Sequence, residues 1–288
     1  MAERCLVTGE RGFLGRFVCG ALEAAGYEVV GLGARRLPDS TIADFVGDCR
    51  PDVVVHLAGP ASVHDSFRDP QADFSGAVDA TASLVFGLAR ANLRPRLVHV
   101  SSAAVYGNPE RLPIDERASL RPISPYGHHR KLSEAVVDEA LALFGIGSCV
   151  ARIFSAYGPG LPRQVVHDLC ARAVVERRIH LDGTGDESRD FVHAADVARA
   201  IVALVERGSF DGTRYNVASG RETTLRELVE TVAAITGISD VRFSGQARQG
   251  DPLRWVADVR RLREVGWEPQ VALEDGIRDV CGWLAASG

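Results

Sequence analysis

The chain has 288 residues, of which 46% are hydrophobic and 25% charged, and its formal net charge is −5. That is the balance of a globular protein long enough to bury a large core, and a net negative charge without a basic run excludes the footprint of a nucleic-acid binder. Cys5, Cys19, Cys49, Cys149, Cys170 and Cys281 show neither CxxC nor metal-ligand spacing, so they read as free thiols in a reducing compartment, with no metal bound.

The first strand pattern, "RCLVTG" (4–9), begins with no charged leader or cleavage site before it, and no later apolar run reaches spanning length. The expectation is a soluble, cytoplasmic protein with no membrane partner. Four further short apolar runs follow: "YEVVGLG" (27–33), "DVVVHLAG" (52–59), "RLVHVSS" (96–102) and "SCVARIF" (148–154). They show little polar alternation, which is the pattern of strands buried on both faces. Between them "FLGRFVCGALEAAG" (13–26), "ADFSGAVDATASLVFGLARAN" (72–92) and the segment after Pro125 have helical length and period.

This alternation predicts an α/β fold with a doubly wound parallel sheet of the Rossmann type. Residues 34–51 are too few for a full strand-and-helix unit, so one edge element of the sheet is expected to be shortened or missing there. From Arg221 the pattern changes to "TLRELVETVAAITG" (224–237), "DVRFSG" (240–245) and "ADVRRLREVGW" (257–267), read as a smaller α/β substrate-binding lobe. The expected division is 1–157 with 187–219 for the dinucleotide domain, and 158–186 with 220–288 for the lobe.

"VTGERGFLG" (7–15) sets Gly9, Gly12 and Gly15 between the first strand and a helix that opens with Phe13 and Leu14. Glycines there allow a tight turn and close approach of backbone to a pyrophosphate, which then faces the helix N-terminus. The second strand runs out into "GLGARRLPD" (31–39), with no acidic residue at its end to meet an adenosine 2′-hydroxyl. Arg35 and Arg36 stand where a 2′-phosphate would lie, favouring NADP, with NAD possible; the alternative is two solvated surface arginines.

In "SPYGHHRKLSE" (124–134) Ser124 can cap a helix and Pro125 suits its first position, which puts Tyr126 in the first turn. Arg130 follows one turn later on the same face, while Lys131 is rotated off it.

"TGERGFLG" (8–15), "HLAG" (56–59), "SSAAVYG" (101–107), "SPYGHHRKLSE" (124–134), "RIFSAYGPG" (152–160) and "RDFVHAADVARA" (189–200) occur in this order. With "YNVASGRETTLREL" (215–228) and "ARQGDPLRWVAD" (247–258), they make the chain resemble the extended short-chain dehydrogenases/reductases over nearly its whole length. The closest likeness is to the branch of nucleotide-sugar epimerases, dehydratases and reductases.

The resemblance implies that Tyr126 is the acid–base residue, and that Ser102, 24 positions earlier, hydrogen-bonds the reacting sugar oxygen. It further implies that Leu57 and Ala58 line the cofactor, and that Arg189 and Arg248 grip the diphosphate of a nucleotide-sugar substrate. For Arg189 a pairing with Asp186 or Asp190 is the alternative. Arg130 occupies the place of the family's lysine, where its permanent charge would favour tyrosinate and its donors could reach the nicotinamide ribose.

Departures are informative. Ser155 stands for an asparagine that contacts sugar or cofactor, and Ala77 and Ala80 replace an asparagine and a glycine. Ala103 and Ala104 occupy the positions of the acid and base of 4,6-dehydratases, and two methyl groups move no proton. The expected activity is therefore reduction of a 4-keto nucleotide sugar by hydride transfer at C4. A redox-neutral 4-epimerase and a non-catalytic nucleotide-binding protein are the alternatives. "GAVDATASLVFGLA" (76–89) and "AVVDEALALF" (135–144) are apolar or small around much of each helix, and with the resemblance they imply a homodimer.

Overall fold

The computed structural model describes residues 2–181, 183–245 and 253–287. The chain runs β1 (Arg4–Thr8), α1 (Phe13–Ala24), β2 (Glu28–Gly31), α2 (Ile42–Cys49), β3 (Val53–His56), α3 (Val63–Arg68), α4 (Pro70–Phe74), α5 (Ala80–Arg90), β4 (Arg96–Ser102), α6 (Pro125–Phe144) and β5 (Ser148–Ile153). A π-helical turn, Ser75–Asp79, joins α4 to α5. Then come β6 (Ser155–Tyr157), α7 (Val165–Ala171), β7 (Ile179–Leu181), β8 (Ser188–Arg189), β9 (Phe191–His193), α8 (Ala194–Arg207) and β10 (Asp211–Val217). The chain closes with β11 (Thr223–Thr224), α9 (Leu225–Thr236), β12 (Val241–Phe243), α10 (Arg260–Glu264) and α11 (Leu273–Ser287).

The central sheet has six strands in the order β10-β5-β4-β3-β1-β2, all paired in parallel. Strand period decides which side chain meets which helix layer. Cys5, Val7, Val53, Val55, Val98 and Val100 pack with Val18 and Leu22 of α1 and Ile201 and Leu204 of α8. Leu6, Val54 and Leu97, one residue out of step, pack with Ile42 and Val46 of α2, Leu84 and Leu88 of α5, and Val137 of α6. Both faces are covered, so the strands carry no polar alternation.

Residues 34–51 contain α2 and no strand, leaving β2 as the edge of the sheet, in line with the shortage of chain noted above. The helix reaches α5 closely: a Cβ on Gly87 would lie 2.6 Å from Cγ2 of Ile42.

A second core gathers Val166, Leu169, Ile179, Leu228, Val232, Ile277 and Val280 from α7, β7, α9 and α11. Its α9 begins with a reciprocal capping box between Thr224 and Glu227 and ends at Gly237 in the left-handed region. Among the described residues no helix is long and apolar enough to cross a membrane, and no cluster of His, Cys, Asp and Glu could hold a metal ion.

Candidate active site

The turn between β1 and α1 is possible only with glycines. Gly9 has φ +76°, and a Cβ there would stand 2.9 Å from the backbone nitrogen of Ala58. The Gly12 N–H donates to the Gly9 carbonyl at 2.9 Å, and a Cβ on Gly15 would overlap that same carbonyl oxygen. No side chain caps α1 at Gly12, so the first-turn N–H groups of Phe13, Leu14 and Gly15 are available to an anion. Thr8 ties the floor together: its Oγ1 accepts from Ala58 N at 3.1 Å and lies 2.7 Å from His56 Nδ1. Leu57 and Ala58 are thereby held against Gly9.

At the exit of β2 the structure supplies a carboxylate from an unexpected element. Glu10, in the glycine turn, folds over Gly31 and accepts from Gly33 N at 3.2 Å. A Cβ on Gly31 would lie 2.6 Å from Cγ of Glu10, so Gly31 is what admits it. The two arginines that follow part company. Arg35 donates to Asp39 at 3.2 Å and to Thr41 at 2.8 Å, and its guanidinium lies 5.1 Å from the centre of the Phe45 ring. Arg36 is exposed, and no hydrogen bond or ion pair holds it among the described residues.

α6 starts as its residues dictate. Ser124 Oγ accepts from Gly127 N at 3.1 Å, and Pro125 occupies the first turn. The Tyr126 N–H donates to Ser66 Oγ at 3.1 Å. The helix start packs tightly on the turn after β4, where a Cβ on Gly127 would lie 2.5 Å from the Ala104 carbonyl oxygen. This brings Tyr126 to the segment that carries Ser102, whose Oγ accepts from Ala104 N at 3.2 Å. Ala103 and Ala104 are both buried.

Arg130 is 6% exposed, with its guanidinium carbon 5.3 Å from the centre of the Tyr126 ring. Nη1 donates to the Val100 carbonyl at 3.2 Å and Nη2 to the Pro60 carbonyl at 2.5 Å, while Nε is buried without a partner. The other cationic candidates on this helix face elsewhere. Lys131 donates to the Leu120 carbonyl at 3.2 Å, and His129 Nδ1 lies 2.6 Å from Asp73.

Two groups of residues around this site were not singled out from the sequence. His56 and His99 are opposed in the β3–β4 register, with ring centres 5.4 Å apart. Burial holds both imidazoles neutral. It carries His99 down to about 3, with the Arg130 and Arg214 charges adding to the effect, and it lowers His56 well below its ordinary range, aided by His99 and Arg130. The second group is an ion pair, each side chain 3% exposed, between Arg152 and Glu134 at 2.7 Å. Ser101 donates to Glu134 at 2.6 Å, Arg152 to the Tyr106 hydroxyl at 2.9 Å, and Tyr106 to Asn216 Oδ1 at 2.7 Å. That chain ties α6, β4, β5 and β10 behind Ser102 and Tyr126. Side-by-side strand register was the signal for the histidines; nothing in the linear order pairs Glu134 with Arg152.

Trp255 and Phe154 join Ala103 and Ala104 in one cluster, against which Tyr126 packs. The Arg189 guanidinium lies 5.9 Å from the Trp255 ring centre and donates to the Ser188 carbonyl at 2.9 Å. Asp190 takes four donors instead: Ser219 N and Oγ, Gly220 N and Ala257 N. Burial raises its carboxyl to about 6 against the pull of those donors. Asp186 faces Arg226 at 3.6 Å. Ser155, partly buried on β6, donates its N–H to the Asp190 carbonyl at 3.1 Å. Arg248 lies outside the described residues.

Residues 5–218 match the NAD dependent epimerase/dehydratase family. The chain is 31% identical to the UDP-glucose 4-epimerase of Mycolicibacterium smegmatis, over 95% of its own length and 96% of the relative's. It is 30% identical to the GDP-6-deoxy-D-mannose reductase of Pseudomonas aeruginosa, over 97% and 96%. A solved structure, RMD from Pseudomonas aeruginosa complexed with NADPH, superposes with a TM-score of 0.88 at 29% identity, covering 100% of both chains. The chain belongs to the NAD dependent epimerase/dehydratase family, within the extended short-chain dehydrogenases/reductases.

Proposed function

We propose that this protein is an NAD(P)-dependent enzyme of nucleotide sugars that reduces a 4-keto sugar at C4. The observation that carries the reading is Tyr126 in the first turn of α6, with a buried guanidinium 5.3 Å from its ring. The glycine turn fits a dinucleotide on its own geometry: no side chain caps α1 at Gly12, and Gly9 and Gly15 let the backbone close tightly beneath the first-turn N–H groups. Gly9, Gly12, Phe13, Leu14 and Gly15 would hold the pyrophosphate, with Leu57 and Ala58 alongside. When bound, the cofactor supplies the hydride.

The chain's own residues handle oxygen and charge. Tyr126 gives its hydroxyl proton to the sugar oxygen as that oxygen becomes an alcohol, and Ser102 hydrogen-bonds the same oxygen. Arg130 keeps its charge throughout and offsets the negative charge left on the phenol. Ser155, Arg189 and Arg248 are assigned to the nucleotide sugar, the arginines to its diphosphate. With alanines at 103 and 104, no side chain there protonates a leaving hydroxyl or removes a carbon-bound proton, which argues against 4,6-dehydration.

For the cofactor form we favour NADP(H), through Arg36, the exposed arginine past β2. The Glu10 carboxylate at the same strand exit opposes a 2′-phosphate and keeps the preference small. Redox-neutral 4-epimerisation is the second reading, supported by the likeness to UDP-glucose 4-epimerase. Incubation with NADPH and a panel of 4-keto nucleotide sugars separates the two. Stoichiometric NADPH consumption with a 4-hydroxy product supports reduction. Interconversion of a 4-hydroxy sugar and its C4 epimer without net cofactor consumption supports the second reading.

A further inference from the structure

Gly59 and Arg130 touch. A Cβ on Gly59 would stand 3.0 Å from Nη2, 3.2 Å from Nη1 and 3.4 Å from Cζ of the guanidinium, so the Nη edge of the planar head faces this residue. The turn that contains Gly59 cannot back away. Its next residue, Pro60, accepts from Nη2 at 2.5 Å on one side. On the other side a Cβ on Gly76 would lie 3.0 Å from the Pro60 ring, so Pro60 is pressed against the π-helical turn that leads into α5. The guanidinium is fixed at its far end by the Val100 carbonyl on β4.

We propose that Gly59 is a positioning residue matched to Arg130. Its missing side chain admits the planar guanidinium, and the arginine in return clamps the turn after β3 to β4. Resting on the functional reading above, this turn is the one that carries Leu57 and Ala58 alongside the cofactor. The clamp then sets where the cofactor ring stands relative to Tyr126, a placement to which hydride transfer is sensitive.

Replacing Gly59 has two separable effects. At φ +147° any side chain is strained, whatever surrounds it. The clash with the guanidinium depends on what occupies position 130. A lysine ends in a compact ammonium without the planar head that spans Gly59.

The test is a double-mutant cycle with Gly59→Ala, Arg130→Lys and the double variant, read by thermal midpoint and by kcat and KM with NADPH and an accepted 4-keto nucleotide sugar. Gly59→Ala should lower kcat about tenfold more in the parent than in the Arg130→Lys background. The fall in midpoint should likewise be larger in the parent, and KM for the nucleotide sugar should stay level. Equal losses in both backgrounds would overturn the pairing, because strain alone would then account for them. If Gly59→Ala fails to fold while the double variant folds, the coupling is shown in its extreme form; if both fail, the pairing is wrong. Absence of turnover in the parent defeats the functional reading, and the thermal cycle then decides the pairing alone.

Discussion

The guanidinium of Arg130 stands 5.3 Å from the centre of the Tyr126 ring, one turn along the same helix. A permanent cation therefore sits beside the phenol to which proton transfer is assigned above. Arg130→Lys keeps the charge but gives up the two-ended clamp on the Val100 and Pro60 carbonyls, so it should retain a substantial part of the turnover. Arg130→Met should lose about a hundredfold in kcat. Steady-state kinetics at neutral pH check this. An unimpaired Met variant would show that another group serves Tyr126, with His129 and Lys131 next to examine.

The cofactor preference is open to dissection residue by residue. NADPH should bind more tightly than NADH. Arg36→Ala should weaken NADPH about tenfold and remove that preference. Arg35→Ala should change little, because Arg35 is engaged with Asp39, Thr41 and Phe45. Glu10→Gln removes the opposing charge beside Gly33 and should widen the preference for NADPH. Equilibrium titration of both cofactors against all four proteins reads each effect. A parent that prefers NADH would refute the assignment.

Much of this arrangement was legible in the residues, and what was not depended on contacts between distant segments. Strands such as "DVVVHLAG" announced themselves because helices cover both faces of the sheet. The missing edge strand was legible from chain length alone. β10 was harder, since its first residues, Asp211 to Arg214, are exposed or half-buried and only Tyr215–Val217 are inside. Glu10 escaped notice because the direction of a turn side chain is decided by the glycine it folds over, Gly31. Arg130 was visible as a cation, but its attachment to the Val100 and Pro60 carbonyls comes from β4 and the β3 exit, far away in sequence.

Acid should expose the neutral histidines under Arg130. His99 stays unprotonated in the folded chain down to about pH 3, whereas in the unfolded chain it takes a proton near 6.5. Its folded value is depressed, so its contribution is intact above pH 6.5 and is lost as the pH falls from there toward 3. The slope is about 1.4 kcal/mol per pH unit. Asp190 and Glu116, whose carboxyls burial raises, act with the opposite sign. Both are present in parent and variant alike. Urea unfolding of the parent and of His99→Gln between pH 7 and pH 5 isolates the histidine: the parent should lose stability faster by about that slope. Parallel lines would contradict the assignment.

A homodimer is expected through the α5–α6 face. Leu143 is 70% exposed on α6, with Phe144 at 37% next to it and Leu132 at 46% about three turns earlier, and the Phe86 ring of α5 meets Phe144 edge-on at 6.0 Å. Leaving such side chains in water is costly where a second copy can cover them. Light scattering at micromolar concentration should give twice the chain mass, and Leu143→Glu should shift it toward the monomer. A parent that runs as a monomer would refute the expectation.

In the proposed reaction Tyr126 moves the proton that accompanies hydride transfer at C4. The most direct measurement is single-turnover oxidation of bound NADPH by a 4-keto nucleotide sugar, in the parent and in Tyr126→Phe, with cofactor affinity measured for both. NADPH oxidation and a 4-hydroxy product are expected with the parent. The rate should be lower by about a hundredfold or more in Tyr126→Phe, with cofactor affinity retained. A Phe variant that reacts within a few-fold of the parent, or a parent that binds NADPH yet transfers hydride to none of these sugars, would contradict that role.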